Sequence, residues 1–242
     1  MYPNTRHRRA VSVFVLGLIL ISLSGLMVLL FSQLMWNNEL TVFDLEVSTD
    51  TLLVGQSDEW KLILVNRQNP IPADYKVNLI HLQDGQAVDT RIYPALQQMF
   101  DAADAEGILL CINSSYRTAE EQQAILDEKI AAYKADGNND EEARNLAEQW
   151  VALPGTSEHQ LGMAVDLSTP NSWIQDADSL WTWLIENSYK YGFIQRYPAD
   201  KSAITGIANE PWHYRYVGQE AAKDIHELGI CLEEYLAATE TA

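Results

Sequence analysis

The most informative part of this sequence is the stretch SEHQLGMAVD, residues 157–166. A second stretch, EPWHYR at residues 210–215, complements it. Together they contain two histidines, an aspartate and a glutamate that stands apart from them. A zinc ion that performs chemistry usually has three protein ligands and one open position, whereas structural zinc sites are closed, usually by cysteines. The chain has only two cysteines, so these stretches predict a catalytic zinc site and a hydrolase.

The predicted metal ligands are His159, Asp166 and His213. Imidazole nitrogens and carboxylate oxygens are ordinary zinc ligands. A loop that leads into a strand can aim His159 and Asp166 at one point, and His213 would join them from a neighbouring strand. The alternative interpretation of Asp166 is that it orients a histidine without touching the metal.

Two further side chains are predicted to take part in the reaction. Glu210 lies three residues before His213, and a carboxylate beside the metal can take a proton from the attacking water and pass it to the leaving amine. Arg117 is expected between a strand and a helix, where its guanidinium can face the developing oxyanion or a substrate carboxylate. A structural ion pair is the alternative for Arg117. His81 and His226 are interpreted as structural.

The N-terminal part predicts a membrane anchor. Residues 10–38 contain no charged side chain, and a helix needs roughly 20 apolar residues to cross a bilayer. Three arginines precede this run, so the positive-inside rule places the N-terminus in the cytoplasm. We therefore expect a cytoplasmic segment at 1–9, a transmembrane signal anchor at 10–36, a juxtamembrane linker at 37–59 and an extracytoplasmic domain at 60–242. A cleaved signal peptide is disfavoured, because the run is long and lacks an Ala-x-Ala pattern.

The predicted outer domain is strongly acidic. All 34 acidic side chains but only 13 of the 16 basic ones follow Asn38, for a formal net charge of −21. This charge argues against nucleic acid as a partner, since such binding needs a basic surface. Solubility alone explains the charge. We expect no obligatory protein partner. Cys111 and Cys231 permit one disulfide, but we expect free thiols, because Cys111 lies in an apolar run.

Hydrophobic periodicity predicts an α+β domain with a small antiparallel sheet flanked by helices. Thr118 and Glu121 form a capping-box pattern at the start of one helix. The predicted helices are 93–105, 119–135, 140–151, one within 173–191 and one or two within 218–236. The predicted strands are 62–66, 108–112, 164–167, 193–194, 212–217 and a short one at 40–43. Inward-facing positions of the last helices are predicted to be Leu180, Trp181, Leu184, Ile185, Ala222, Ile225, Leu228 and Leu232.

Three ordered motifs resemble the VanY-type D-alanyl-D-alanine carboxypeptidases. The first is Ser115-Tyr116-Arg117 with Gln122 five residues after Arg117, and the second is Ser-x-His-x-x-Gly-x-Ala-x-Asp from Ser157 to Asp166. The third is Glu-x-Trp-His, which ends at His213. The similarity also takes in LVN at 64–66 and NPIP at 69–72, so it covers roughly residues 60–236.

The resemblance implies a zinc peptidase that removes the terminal D-alanine from peptidoglycan stem peptides by glutamate-assisted attack of a zinc-bound water. It assigns zinc to His159, Asp166 and His213, the catalytic base to Glu210, and support of the substrate and transition state to Arg117. The remaining motif positions are expected to contact the substrate: Ser157, Gln122, Ser115, Tyr116 and Trp212. A turn cap is the alternative role for Ser157.

Other functions remain open on the same residues. The metal set also serves L,D-carboxypeptidases and peptidoglycan endopeptidases, and D,D activity is expected because the resemblance is strongest there. A catalytically silent, zinc-bearing cell-wall-binding module is the alternative from another class. The presence of Glu210 and Arg117 favours an enzyme, since a binding module needs neither.

Overall fold

The computed structural model of the 242-residue chain describes residues 58–83, 85–169 and 177–239. The predicted cytoplasmic segment, the transmembrane anchor, nearly all of the linker and the strand at 40–43 lie outside these residues. Within these three ranges, none of the helices combines the length and the apolar character that a bilayer crossing requires.

Six strands and seven α-helices make up the described part of the chain. The strands are β1 (Leu79–His81), β2 (Ala87–Asp89), β3 (Cys111–Ser114), β4 (Ala164–Ser168), β5 (Phe193–Tyr197) and β6 (Glu210–Tyr216). The helices are α1 (Tyr93–Ala105), α2 (Ala119–Ala135), α3 (Asp140–Ala147), α4 (Ala177–Asn187), α5 (Ser202–Thr205), α6 (Gln219–Leu228) and α7 (Leu232–Thr239). Short 3-10 helices occupy Asp58–Leu62, Glu158–Leu161, Ser188–Tyr191 and Ala199–Lys201.

The main sheet has four strands in the order β3-β4-β6-β5, and every neighbouring pair is antiparallel. β1 and β2 form a separate antiparallel pair. The predicted α+β class with a small antiparallel sheet flanked by helices is therefore confirmed. In the two central strands, Asp166 lies directly opposite His213.

One face of the central strands forms the hydrophobic core. Successive side chains on a strand point to opposite faces of the sheet, and Val165 and Leu167 of β4 are fully buried in the core together with Tyr214 of β6. Met99 of α1 and Leu184 of α4 pack into the same cluster. Asp166 and His213 are thereby left on the opposite face, away from the apolar interior.

The helix predictions with explicit end signals are confirmed. α1 has the predicted bounds, and Gly107 follows it with φ +77°. Thr118 caps α2 through a capping box with Glu121, and the helix ends at Ala135 as expected. α3 ends at Ala147 rather than Val151. The amides of Gln149 and Trp150 donate to carbonyls three residues back rather than four, so the regular α-helical bonding stops there.

The strand predicted at 62–66 is wrong. Residues 58–62 form a 3-10 helix, and residues 63–65 belong to no strand although Val65 is fully buried. The Arg215 guanidinium donates to the carbonyls of Lys61 and Ile63 at 3.1 and 3.0 Å. The Arg215 side chain thus satisfies the carbonyl of Ile63, which we had expected a neighbouring strand to pair. The strand predicted at 108–112 is displaced toward its C-terminal end and begins at Cys111.

Two predicted core positions are exposed. Ile185 is 49% exposed and Leu228 is 67% exposed, whereas Leu180, Leu184, Ala222 and Leu232 are buried as predicted. Trp183, which we had not predicted as a core residue, is buried. Both cysteines are free thiols, as expected.

Candidate metal centre

The predicted metal ligands come from three adjoining pieces of backbone. His159 lies in the 3-10 turn at 158–161, and Asp166 follows on β4. Gly162 joins the two with φ +70°, and a Cβ atom there would lie 2.9 Å from Val77 Cγ2 and 3.0 Å from the Asp89 amide nitrogen. Only glycine fits this left-handed, crowded turn without displacing its neighbours. The turn therefore returns the chain so that both side chains face one point, which His213 reaches from β6.

The three side chains converge with metal-like spacing. One ligand atom from each of His159, Asp166 and His213 lies within 4.8 Å of the others. Asp166 Oδ1 is 3.4 Å from His159 Nε2 and 3.2 Å from His213 Nδ1. Two ligand atoms bound to one tetrahedral zinc at the usual bond lengths lie roughly 3.3 Å apart. The residues therefore fit a zinc ion with three protein ligands.

The far nitrogen of each histidine faces a hydrogen-bond acceptor. His159 Nδ1 lies 2.7 Å from the carbonyl oxygen of Ser115, and His213 Nε2 lies 3.3 Å from Glu158 Oε2. A ring nitrogen that donates to such an acceptor keeps its proton and leaves the lone pair on the other nitrogen. Both imidazoles are thus held with their lone pairs toward Asp166, as metal ligation requires.

The pKa values of the three proposed ligands indicate that the site favours a bound cation. Burial lowers the pKa of His159, and although burial also opposes the charged form of His213, its hydrogen bonds to Asp166 and Glu158 raise its pKa to about 9. Burial would raise the pKa of Asp166, but the neighbouring histidines hold it well below its usual range. The surroundings of Asp166 and His213 therefore favour a positive charge between them, which a metal ion held by the three side chains would supply.

Glu210 lies beside the ligands but outside their triangle. Its Oε2 atom is 3.8 Å from His213 Nδ1. Residues three apart on a regular strand point to opposite faces, but the pairing of β5 with β6 is irregular between Gln195 and Tyr197, next to Glu210. Such irregularities re-aim side chains beside active sites. Burial, followed by the charge of Asp166, raises the pKa of Glu210 to about 7 despite the opposing effect of His213.

Arg117 is fixed on the other side of Asp166. Its Nη2 atom donates to Asp166 Oδ2 at 2.7 Å and its Nε atom to Ser114 Oγ at 2.8 Å. Its Nη1 atom donates to Gln122 Oε1 at 3.1 Å, and Gln122 in turn donates to the carbonyl of Ala152 at 2.8 Å. The ion pair that we named as an alternative for Arg117 is present, and the same guanidinium also lines the cavity described next.

A cavity of about 540 Å³ opens over the three ligands. Eight of the ten predicted site residues line it: Arg117, Gln122, Ser157, His159, Asp166, Glu210, Trp212 and His213. The wall away from the ligands comes from α2 and the segment after α3, including Ile125, Glu128, Lys129, Tyr133 and Trp150. Ser115 and Tyr116 are not among the lining residues, and Ser115 Oγ instead donates to Gln86 Oε1 at 2.7 Å.

Sequence reasoning missed Glu158 and Tyr197. Glu158 is buried between two arginines and the far side of His213, and the Tyr197 ring lies 4.9 Å from that of His213 and lines the cavity. A signal for Glu158 was available, because Arg196 and Arg215 each stand beside tyrosine in the sequence, at positions where a strand packs against the core. Buried arginines in such places need an acidic partner.

The chain is similar to characterised carboxypeptidases. The sequence profile of the D-alanyl-D-alanine carboxypeptidase (VanY) family matches residues 85–219. A D-alanyl-D-alanine carboxypeptidase of Enterococcus faecalis is 57% identical over 182 residues, which are 75% of this chain and 68% of the relative.

Two solved structures resemble the fold over most of the described residues. One is a mutant vancomycin-resistance D,D-pentapeptidase VanY in complex with Zn(II), at 58% identity and a TM-score of 0.71, covering 73% of this chain and 99% of that one. The other is VanYB in complex with D-alanine-D-alanine, at 57% identity and a TM-score of 0.72, covering 74% and 98%. Profile, sequence and fold agree over the residues that carry the metal centre, and the chain belongs to the VanY family of D-alanyl-D-alanine carboxypeptidases.

Proposed function

We propose that the protein is a zinc D,D-carboxypeptidase that removes the terminal D-alanine from peptidoglycan stem peptides. The observation that carries this proposal is the convergence of His159, Asp166 and His213, whose ligand atoms lie within 4.8 Å of one another beneath a cavity open to solvent. The Zn(II) and D-alanine-D-alanine complexes of relatives that are 58% and 57% identical support it.

In this proposal His159 Nε2, Asp166 Oδ1 and His213 Nδ1 hold the zinc ion. When bound, zinc lowers the pKa of a coordinated water and polarises the carbonyl of the scissile peptide bond. The carbonyl of Ser115 and the carboxylate of Glu158 keep the two imidazoles in the tautomers that this role needs.

Glu210 is proposed as the general base. Its side chain lies beside the ligands, and the pKa of about 7 that burial gives it suits a group that must both accept and release a proton near neutral pH. The positive charge of a bound zinc ion would lower this pKa and favour the carboxylate that accepts the proton. Glu210 would take the proton of the attacking water and then deliver it to the amine of the departing D-alanine.

Arg117 is proposed to bind the substrate and stabilise the transition state from its position beside Asp166. Its guanidinium is held by Ser114, Gln122 and Asp166, so it presents charge to the cavity without having to reorganise. Ser157, Gln122 and Trp212 line the same cavity and remain proposed substrate contacts. The prediction that Ser115 and Tyr116 contact the substrate stays a prediction, and the carbonyl of Ser115 serves His159.

We further propose that the enzyme is anchored in the cell membrane by residues 10–36, with residues 1–9 in the cytoplasm and the domain at 60–242 outside the cell. The uncharged apolar run and the arginines that precede it support this placement. The substrate is a component of the cell wall, so an external domain would meet it directly.

The test is the release of D-alanine by the full-length protein in detergent, with and without a chelator. The substrates are a pentapeptide that ends in D-Ala-D-Ala and the matching tetrapeptide. Chelator-sensitive release from the pentapeptide is expected. Release from the tetrapeptide alone would move the specificity to L,D. Cleavage of neither by protein shown to hold zinc would refute the carboxypeptidase and leave an endopeptidase or a silent binding module.

A further inference from the structure

A buried carboxylate lies directly behind one of the proposed zinc ligands. The side chain of Glu158 has no solvent exposure, and its two oxygens have different tasks. Oε2 faces His213 Nε2 at 3.3 Å, on the side of the ring away from Asp166. Oε1 accepts from Arg196 Nε at 2.8 Å and from Arg215 Nη1 at 2.9 Å. The carboxylate is therefore fixed by two guanidiniums and directed at the imidazole.

The two arginines tie Glu158 to distant parts of the chain. Arg196 makes a second, two-pronged ion pair with Glu233 of α7, at 2.6 and 2.8 Å. Arg215 donates to the backbone carbonyls of residues 61 and 63. We call Glu158, Arg196, Arg215 and Glu233 the buried cluster. It joins the first described segment and the C-terminal helix to the back of the metal centre.

The two histidines differ in what holds them. The far nitrogen of His159 faces a neutral carbonyl, whereas that of His213 faces an ionised carboxylate. A carboxylate that accepts from a metal-bound imidazole fixes its tautomer and ring orientation and makes the metal-facing nitrogen a stronger donor. His213 lies on a strand, so its backbone is rigid, but its ring can still rotate about χ2. Glu158 supplies the contact that sets this rotation.

We propose that Glu158 is a positioning residue for the zinc ligand His213, and that Glu233 of the C-terminal helix holds Glu158 in place through Arg196. This inference rests on the ligand set of the proposed function. A purely structural buried cluster would stabilise the fold and leave the metal unaffected. A positioning role instead couples a residue of α7, which touches none of the ligands, to the affinity for zinc.

The experiment measures the zinc affinity of the full-length protein by competition with a chromophoric chelator. Glu158→Gln should bind zinc roughly 10- to 100-fold more weakly, as is typical when the partner of a metal-bound histidine is lost. Glu233→Gln should weaken binding in the same direction by a smaller factor. Glu234→Gln is the matched control, because the neighbouring glutamate pairs with Lys201 and does not touch the buried cluster. Its zinc affinity should equal that of the wild type.

A second readout separates ligand geometry from fold stability. Cobalt(II) substituted into the site gives an absorption spectrum that depends on the arrangement of its ligands, and Glu158→Gln should change this spectrum while Glu234→Gln should not. A folded Glu158→Gln protein with wild-type zinc affinity and an unchanged cobalt spectrum would overturn the inference. Should that variant fail to fold, Glu233→Gln decides, and wild-type affinity there would overturn it equally.

One further variant keeps this inference distinct from the proposed function. His213→Ala should abolish tight zinc binding if His213 is a ligand. Tight binding by His213→Ala would refute the ligand set itself, and the positioning role would fall with it. Loss of zinc in His213→Ala together with normal affinity in Glu158→Gln and Glu233→Gln would refute only the positioning role.

Discussion

His213 meets a carboxylate at each of its ring nitrogens, and the two carboxylates have different surroundings. On one side, Glu158 belongs to the buried cluster, where two carboxylates are balanced by two guanidiniums. On the other side lie Asp166 and Glu210 with Arg117, which we call the metal-facing cluster. The Arg117 guanidinium pairs with Asp166, and among the described residues the cationic group at ion-pair distance from Glu210 is the His213 ring, 3.8 Å away.

The electrostatic consequences differ accordingly. Burial would raise the pKa of Glu158, but Arg196 and Arg215 hold it far below its usual range. Burial also raises the pKa of Glu210, and the opposing charges of His213 and Arg117 do not overcome this effect. A buried carboxylate that is paired with arginines stays ionised and stabilises the fold. A buried carboxylate with a raised pKa readily takes up a proton, and its charged form is stabilised by a nearby cation. Burial of a charged group therefore does not by itself indicate a reactive site. The more informative signal is a buried carboxylate, such as Glu210, whose charge is not balanced by nearby arginines.

The largest expected effect is on the reaction. Glu210→Gln should lower kcat roughly 100- to 10,000-fold, the range typical of a lost general base, because the amide cannot take the proton of the attacking water. Zinc content should be unchanged, since Glu210 is not a proposed ligand. D-alanine release and metal analysis on the same sample check both points. A loss of less than tenfold would assign the proton transfer to another group.

The next largest effect concerns the buried cluster and the fold. Arg196→Met leaves Glu233 without its two-pronged partner and Glu158 with one guanidinium, and loss of one member of a buried ion pair costs about 3–5 kcal/mol. Denaturant unfolding of the zinc-loaded protein measures this cost. Lys223→Met is the control, because Lys223 and Glu227 form an exposed pair on α6 and such pairs contribute little. Equal unfolding midpoints for the two variants would show that the ion pairs of the buried cluster stabilise the fold no more than an exposed pair does.

In the metal-facing cluster, removal of the Glu210 charge should stabilise the metal-free fold, whereas loss of Arg196 destabilises it. The pKa of Glu210 is raised from 4.5 to about 7 in the metal-free fold, so between these values the unfolded chain loses its proton first and stability falls as pH rises. At pH 8, metal-free Glu210→Gln should be more stable than metal-free wild type by about 1–3 kcal/mol. Below pH 4.5 the carboxyl is protonated in both states and the difference should vanish. A difference that does not vary with pH would contradict this explanation.

The smallest expected effect lies outside both clusters. The side chain of Asn139 caps α3 by accepting from the amides of Glu141 and Glu142, each at 3.0 Å. Asn139→Ala should cost about 1 kcal/mol of stability and leave zinc affinity unchanged, while Asn139→Asp should restore the cap. Thermal unfolding and chelator competition check the pair. A fall in zinc affinity with Asn139→Ala would show that general destabilisation alone weakens the site.

Elements with local signals were predictable from the sequence. The capping box at Thr118 places the start of α2 correctly, and the bounds of α1 follow from apolar spacing with Gly107 as the stop. The convergence of His159, Asp166 and His213 was also predicted, because a loop that enters a strand and a neighbouring strand supply all three. These features depend on a few adjacent residues or on a single strand pairing.

Features set by distant contacts were not predictable. Residues 62–66 have the composition of a strand, but the carbonyl of Ile63 accepts its hydrogen bond from the Arg215 side chain, more than 150 positions away. Ile185 and Leu228 continue apolar stripes on their helices, yet none of the elements that the structure describes covers them. Glu158 and Arg196 are 38 positions apart, and the sequence around either residue does not predict that the two form an ion pair.

The direct pairing of Asp166 with His213 has a further consequence. A shift of either strand by one residue would turn its proposed ligand to the opposite face of the sheet, away from the other two. With the proposed ligands, the free energy of metal binding would be available only to chains in which β4 and β6 have joined in this one register. A bound zinc ion would then stabilise the correct alignment of the central sheet over a slipped one.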